Sequence, residues 1–489
     1  MSKQRDDRLA KLEQMRAMGV EPFGQAYSST TPAAELAASY TDEKEGTDVR
    51  TAGRLTAVRG HGKSTFADLR DWTGKIQINM SQGRLGDEAY GLVKLLDIGD
   101  LIGVEGQIAK TRTGEITIFV TRLTVLSKAL LPLPEKFHGL RDIETRSRHR
   151  SLDLVANPES MEQALDRIKI LQAIRRYLTD RCFVEVETPM MQSIPGGAVA
   201  RPFITHHNAL DIDLYLRVSP ELYLKRLLCG GMERVFEINR NFRNEGISHK
   251  HNPEFTMLEA YQAYADYNVM MELVEGMVTS VAQEVRGRLV FQFGEWQIDL
   301  TPPWPRLRFA DAIQERAGID MFDEAAVRAK ARELGIENAG TLHTDPLLDE
   351  IFKQLVEPHL VNPVFLTHHP ASMAPLCRQS PEDPRVSERF EVMVAGFELA
   401  NAYTEQNDPV VQRREFEKQL ARREEGTVGR IDEDFLYALE HGMPPAGGLG
   451  VGIDRLLMLL LEKTSLRDVI LFPLMRPELS REPQEDGEG

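Results

Sequence analysis

The chain runs to 489 residues, more than one hydrophobic core serves, so two or more domains are expected. Its net charge of −16 speaks against a nucleic-acid partner only until the distribution is examined: residues 50–137 hold 13 Lys and Arg against 9 Asp and Glu. A locally basic module on an acidic body still suits a polyanion. At 42% hydrophobic the composition is globular, and no apolar run approaches the roughly 18 to 20 residues of a membrane span, so no membrane partner is expected. Cys182, Cys229 and Cys377 stand far apart with no CxxC pair, which predicts neither zinc nor a disulfide framework, and the start MSKQRDDRLAKLEQ has no signal-peptide core. A reducing cytoplasm is the expected setting.

Residues 3–19 read as a helix, with Leu9, Leu12 and Met15 at every third position and Gly19 closing the run. Short helix and loop are expected over 27–48, so that 1–48 forms a helical N-terminal extension. Five strands follow within 49–130, namely RTAGRLTAVR, STFADLRD, GKIQINM, DLIGVEGQIAKT and EITIFVTRLTVL, with a helical interruption near 86–96. That pattern suits an OB-type barrel whose open face takes single-stranded nucleic acid. LPLPEKFHG opens a linker, 131–150, into a second domain at 151–477, and the polar tail 478–489 is expected to be disordered.

In the second domain, Met161, Ala164, Leu165, Ile168, Leu171, Ile174 and Leu178 form an apolar helical stripe ending at Asp180, and FVEVETPMM predicts a strand stopped by Pro189. Arg234 to Tyr264 reads as two strands and a loop. Alternation puts Phe255, Met257, Glu259 and Tyr261 on one face of the return strand, and Asn239, Asn241 and Arg243 on one face of the outgoing strand. The loop adds Glu245, His249, Lys250 and His251; such a gathering suits a charged substrate, although a solvated polar hairpin has the same composition.

RFEVMVAGFELANAYTEQND predicts a hairpin with its turn at Ala395-Gly396, Met393 opposite Glu398 and Glu391 diagonal to it. Two carboxylates so placed need a cation between them, and Mg²⁺ on polyphosphate is the natural candidate. Strict alternation sends Asn401, Tyr403 and Glu405 to the opposite face, so a bulge near Ala400 is required if all serve one pocket. In GGLGVGIDRLLMLLLEK, Gly448, Gly450 and Gly452 leave one strand face bare, and Arg455 stands just beyond it at the start of a helix.

The spelling FRNE with HNPEFT closely resembles motif 2 of class II aminoacyl-tRNA synthetases, in detail that of the lysyl enzymes. The helix, strand and Pro189 resemble motif 1, and the glycine-rich strand with Arg455 resembles motif 3. The likeness covers Arg54 to Pro477; departures at Ser151, HHPASMAPLCRQ and Gln406 replace no motif arginine or carboxylate. It implies an α+β, multidomain fold, an OB barrel followed by an antiparallel catalytic sheet flanked by helices. It further implies a homodimer through motif 1 and ATP-dependent charging of tRNA(Lys) with L-lysine.

The resemblance implies catalytic roles for Arg243 and Arg455, with ATP also held by Glu245, His251 and Phe255. Adenine stacks between Phe255 and Arg455 in that family. Lysine falls to Gly197, Glu221, Glu259, Tyr261, Asn401 and Glu405, with Glu221 on the α-amino group and Glu259, Tyr261 and Glu405 on the ε-ammonium. Up to three Mg²⁺ accompany ATP, held by Glu391 and Glu398. Arg59, Phe66, Gln77 and Glu115 match positions that read a uridine-rich anticodon, Phe66 having an ordinary barrel-core role as its alternative. Three other readings differ in what they need. A paralogue that lysylates protein generally lacks the barrel; an aspartyl or asparaginyl enzyme is poorly served by several pocket glutamates; a regulator with a dead catalytic domain has no use for intact Arg243, Arg455, Glu391 and Glu398.

Overall fold

A computed structural model describes residues 3–477 apart from 25, 29, 135–139, 199 and 423–429; the expected disordered tail and the middle of the expected linker lie outside the described residues. By contacts the chain forms two compact units, Met1–Met161 and Glu162–Gly489.

The first unit opens with α1, Lys3–Ala17, which buries Leu12 and Met15 and ends before Gly19 at φ +75°. Strands β1 (Asp48–His61), β2 (Ser64–Arg70), β3 (Lys75–Ser81), β4 (Leu101–Lys110) and β5 (Ile116–Ser127) close a barrel in the order β1-β2-β3-β5-β4. Short helices Gln82–Leu85 and Asp87–Val93 interrupt it where a helix was expected. Alternation decides which side chains fill it: on β2, Thr65, Ala67 and Leu69 are buried while Ser64, Phe66, Asp68 and Arg70 face outward. Past the barrel the structure differs from a plain linker. Asp142 caps helix Ile143–Arg148 by accepting the Thr145 N–H at 2.7 Å, and Arg146 pairs at 2.7 Å with the fully buried Asp153 of helix Arg150–Ala156.

The second unit is built on an eight-stranded sheet. Its members are β6 (Val184–Glu185), β7 (Arg234–Phe242), β8 (Glu254–Ala263), β9 (Arg306–Arg308), β10 (Val364–Thr367), β11 (Arg389–Val394), β12 (Phe397–Thr404) and β13 (Ala446–Gly452), in the order β9-β10-β11-β12-β13-β8-β7-β6. Only the edge pairs β9–β10 and β6–β7 are parallel. Helices α2 (Pro158–Thr179), α3 (Glu221–Cys229), α4 (Tyr267–Arg286) and α5 (Ile453–Leu460) flank it. One face of the sheet is sealed by α4 and α5 against Phe390, Val392, Leu399, Leu449 and Val451, which leaves the opposite face to carry polar groups.

Two expectations change on this frame. FVEVETPMM yields the two-residue β6 and, at Met191, the start of a strand in a separate small sheet, because the chain leaves the large sheet after the Val186 N–H reaches the Phe236 carbonyl, and Thr188 turns its hydroxyl to the buried Glu237 at 2.6 Å. On α2 the residues packed into the core are Ile170, Ala173, Ile174 and Leu178, while Ile168 of the expected stripe is 47% exposed.

Candidate active site

The hairpin β11–β12 shows how sequence alternation is re-aimed. Ala395 and Gly396 both take positive φ, +50° and +65°, as a two-residue turn that matches strand twist demands. Met393 then pairs with Glu398, but Val392 pairs with Ala400, so Leu399 is the extra residue of a bulge. Beyond it Asn401 and Tyr403 share the polar face with Glu398, and Glu405 bridges back to Cys377. The bulge required by the sequence stands one residue from where it was expected.

A cavity of about 420 Å³ lies on that face, within the range of small-molecule sites. Gly197, Glu221, Glu259, Tyr261 and Asn401 line it, together with Arg243. Glu259 accepts from Ser219 Oγ at 2.6 Å and from Tyr261 OH at 2.9 Å. Burial, reinforced by the Glu221 charge, nevertheless pushes its pKa up to about 7. Glu405 is buried just behind the wall, against Gly448: a Cβ on that glycine would fall 1.9 Å from Glu405 Oε1 and 2.5 Å from the Tyr261 ring. Bare backbone at Gly448 is what lets the carboxylate stand there. Burial and Glu221 hold Glu405 well above the usual carboxylate range in spite of Lys225 beside it.

A second cavity of about 120 Å³ shares Arg243, Met257, Glu398 and Gly450 with the first. Glu245, His251, Phe255 and Arg455 are in its wall. Arg243 lies 5.1 Å from the Phe255 ring centre, and its Nε has no hydrogen-bond partner. Desolvation pulls the pKa of this half-buried guanidinium below its ordinary value against the opposing charges of Glu398 and Glu245. Arg455 donates to the Glu398 carbonyl at 2.5 Å, and Lys250 fastens the β7–β8 loop to the Gly396 carbonyl at 2.7 Å. Burial and the Arg455 charge hold His251 below its usual pKa, which favours the neutral ring.

Glu391 lines neither cavity. Burial alone would raise its pKa, but Arg389, donating at 2.5 Å, and His369, at 3.5 Å, bring it down to about 2. Glu398 keeps 40% of its side-chain surface in the cleft, and its enclosing walls and the Glu391 charge raise its pKa against Arg455. Like charges held near one another on one sheet face, one of them open to the cleft, are a donor set that a divalent cation with phosphate oxygens completes.

In the first unit, Arg59, Phe66 and Asn79 fall in register across β1, β2 and β3, and Asn79 pairs on with Phe119 of β5. Phe66 is half-buried on the outer face and is not part of the barrel core. Arg59 donates to Asp68 at 2.7 Å, Gln77 accepts from Thr117 at 2.8 Å, and Glu115 is exposed.

A family model described as tRNA synthetases class II (D, K and N) matches residues 142–476, and one described as an OB-fold nucleic acid binding domain matches 49–126. The chain is 52% identical over 477 residues to a lysine–tRNA ligase of Moorella thermoacetica, covering 96% of this chain and 97% of that one. The chain belongs to the lysine–tRNA ligase family. Its Bacillus subtilis relative is 50% identical over 95% of this chain and 96% of its own length, and that of Syntrophomonas wolfei 51% over 97% of each. The family's α+β plan, an OB-fold followed by a class II catalytic domain with an antiparallel sheet, is the one expected from the sequence.

Sequence reasoning missed several residues that hold this family's motifs in place here. Asp454, buried at the head of α5, accepts from Arg167 of α2 at 2.8 Å and from the Thr256 N–H of β8 at 2.8 Å, tying helix, strand and Arg455 together. Arg389 joins Asn401, at 3.1 Å, to Glu391. Arg84 lies over Phe119, 5.1 Å from its ring centre, beside the Phe66 row. The Asp-Arg order at the start of α5 was the one visible signal.

Proposed function

We infer that this chain joins L-lysine to tRNA(Lys) in two steps, first using ATP to form lysyl-adenylate with release of pyrophosphate. The observation that carries the reading is a carboxylate-lined cavity that shares Arg243 and Glu398 with an arginine-lined one. A cationic side chain needs buried carboxylates, and Glu221, Glu259 and Glu405 supply three. An aspartate side chain would meet those three carboxylates as like charges.

The lysine carboxylate is already ionised, so its in-line attack on the α-phosphate needs no protein nucleophile or general base. Positioning and charge neutralisation remain as the protein's work. Arg243, common to both cavities, spans the attacking carboxylate and the α-phosphate; Arg455 holds phosphate and, with Phe255, the adenine, while Glu245 reads its amino group and His251 faces the phosphates. Glu221 with the Gly197 backbone takes the α-amino group, Asn401 the carboxylate, and Glu259, Tyr261 and Glu405 the ε-ammonium. Glu391 and Glu398 would hold Mg²⁺, up to three ions accompanying ATP, and the metal supplies neutralisation of triphosphate charge. The 3′ ribose hydroxyl of the tRNA then attacks the activated carbonyl, and AMP leaves.

Arg59, Phe66, Gln77 and Glu115 read the anticodon from the barrel face, in a chain divided as 1–48, 49–130, 131–150, 151–477 and a tail. Ile168, Val184 and Met191, exposed along the motif 1 segment, support a homodimer through that face. Three free cysteines suit a cytoplasmic setting, and among the described residues no helix is long and apolar enough to cross a membrane. Pyrophosphate exchange run separately with lysine, aspartate and asparagine tests the reading: lysine alone is expected to support it, and exchange driven by either of the others would overturn it.

A further inference from the structure

Lys225 carries its charge where no water reaches. Its side chain is fully buried on α3, with Nζ donating to Glu221 Oε1 at 2.6 Å and paired as well with Glu405. Tyr403 OH donates to the same Glu221 oxygen at 2.5 Å, and the Tyr403 ring lies 5.5 Å from the ammonium. Burial alone would strip the proton from Nζ; the Glu221 and Glu405 charges reverse that and raise its pKa above the ordinary value. The ion pair engages Oε2 of Glu405 and leaves its buried Oε1 with no hydrogen-bond partner. An oxygen so deeply buried without a partner, beside one held by an ammonium, points to a donor that arrives with the substrate.

The neighbouring charges bear on the same point. Three carboxylates, Glu221 on α3, Glu259 on β8 and Glu405 after β12, stand around Lys225, with the buried Arg217 guanidinium acting on Glu259 and with Arg243 and Arg389 in the same cavity wall. Tyr261, Tyr403 and Cys377, the other titratable groups around them, are each raised well above their usual values by burial and stay neutral. A free lysine brings two ammonium groups, and its own carboxylate belongs to Arg243.

We propose that Lys225 is a positioning and specificity-determining residue for lysine activation, its ammonium holding Glu221 and Glu405 at one spacing where the amino acid's ammonium groups bind. The proposal rests on the assignment of this cavity to lysine. Without Lys225 the three carboxylates repel, take up protons and lose their grip on cationic ligands until higher pH ionises them again.

The test uses full-length Lys225→Met and Lys225→Arg, with lysine-dependent pyrophosphate exchange followed between pH 6.5 and pH 8.5. Lys225→Met is expected to raise KM for lysine about tenfold or more at pH 7, to leave KM for ATP within about twofold, and to recover as pH rises. Lys225→Arg keeps the charge and is expected to keep the wild-type pH profile. An unchanged lysine KM in folded Lys225→Met overturns the proposal, as does a rise of the same factor at every pH, which packing loss alone would produce. Should the Met variant fail to fold, the Arg variant decides: displacement of its acid limb counts against the proposal, and retention supports it. Absence of lysine-dependent exchange in the unaltered protein is a different failure, that of the lysine assignment itself.

Discussion

The catalytic cavity and the barrel face handle charge in opposite ways. Around the cavity, Glu259, Glu405 and Lys225 are buried, and Arg243 is half-buried in the wall that both cavities share. On the barrel, Arg59 and Glu115 are exposed and Phe66 is half-buried. Desolvated groups hold fixed positions and strong fields, so each is costly to lose; exposed ones are screened and share their work. Chemistry and base reading therefore call for different architectures, and substitution should expose the contrast.

The largest effect is expected at Arg243. Arg243→Ala should cut kcat/KM for lysine-dependent pyrophosphate exchange by on the order of 100-fold, about 3 kcal/mol of transition-state stabilisation. Near-normal exchange would erase the distinction between the two regions. On the barrel, Phe66→Ala should weaken tRNA charging about tenfold while exchange stays intact. Because Phe66 faces outward, its melting temperature should barely move, whereas a core phenylalanine would cost roughly 3 to 5 kcal/mol. A clear drop in melting temperature with normal charging would return Phe66 to a structural role.

Smaller shifts belong to the carboxylates. Glu391→Gln or Glu398→Gln should raise the magnesium concentration for half-maximal activity about fivefold, since each removes ligand charge. An unchanged titration in both would leave them to Arg389 and Arg455 alone. The smallest is a pH effect. Glu259 titrates at about 7 in the empty cavity, and a bound ammonium favours its ionised form, so lysine binding releases a proton. KM for lysine should about double from pH 8 to pH 7 and climb further below, and Glu259→Gln should flatten that rise.

Much of the catalytic face was legible because strand alternation and turn chemistry act locally. Ala395-Gly396 announced a hairpin, and the conflict between Glu398 and Asn401 announced the bulge that Leu399 supplies. Lys225 was invisible for a physical reason: Glu221 and Lys225, four apart on a helix, read as an ordinary surface pair, and only Glu405, folded in from the far end of β12, makes them a buried cluster. Asp454 and Arg389 escaped similarly, since their partners come from distant strands. On α2 the apolar residues outnumber those one face can bury, so periodicity alone could not say which would reach the core.

The missing side chain at Gly448 also sets limits on anyone seeking to retune this pocket for another amino acid. A methyl there would overlap Glu405 Oε1 and the Tyr261 ring, and one at Gly447 would sit 2.8 Å from the Asp266 carbonyl oxygen. Libraries that randomise β13 should thus return mostly misfolded or inactive chains. Productive variation has to come from the facing strands β8 and β12 and from α3, where a changed side chain alters the ligand's surroundings without moving a backbone. The glycine strand acts as a fixed template against which different amino-acid specificities can be cast.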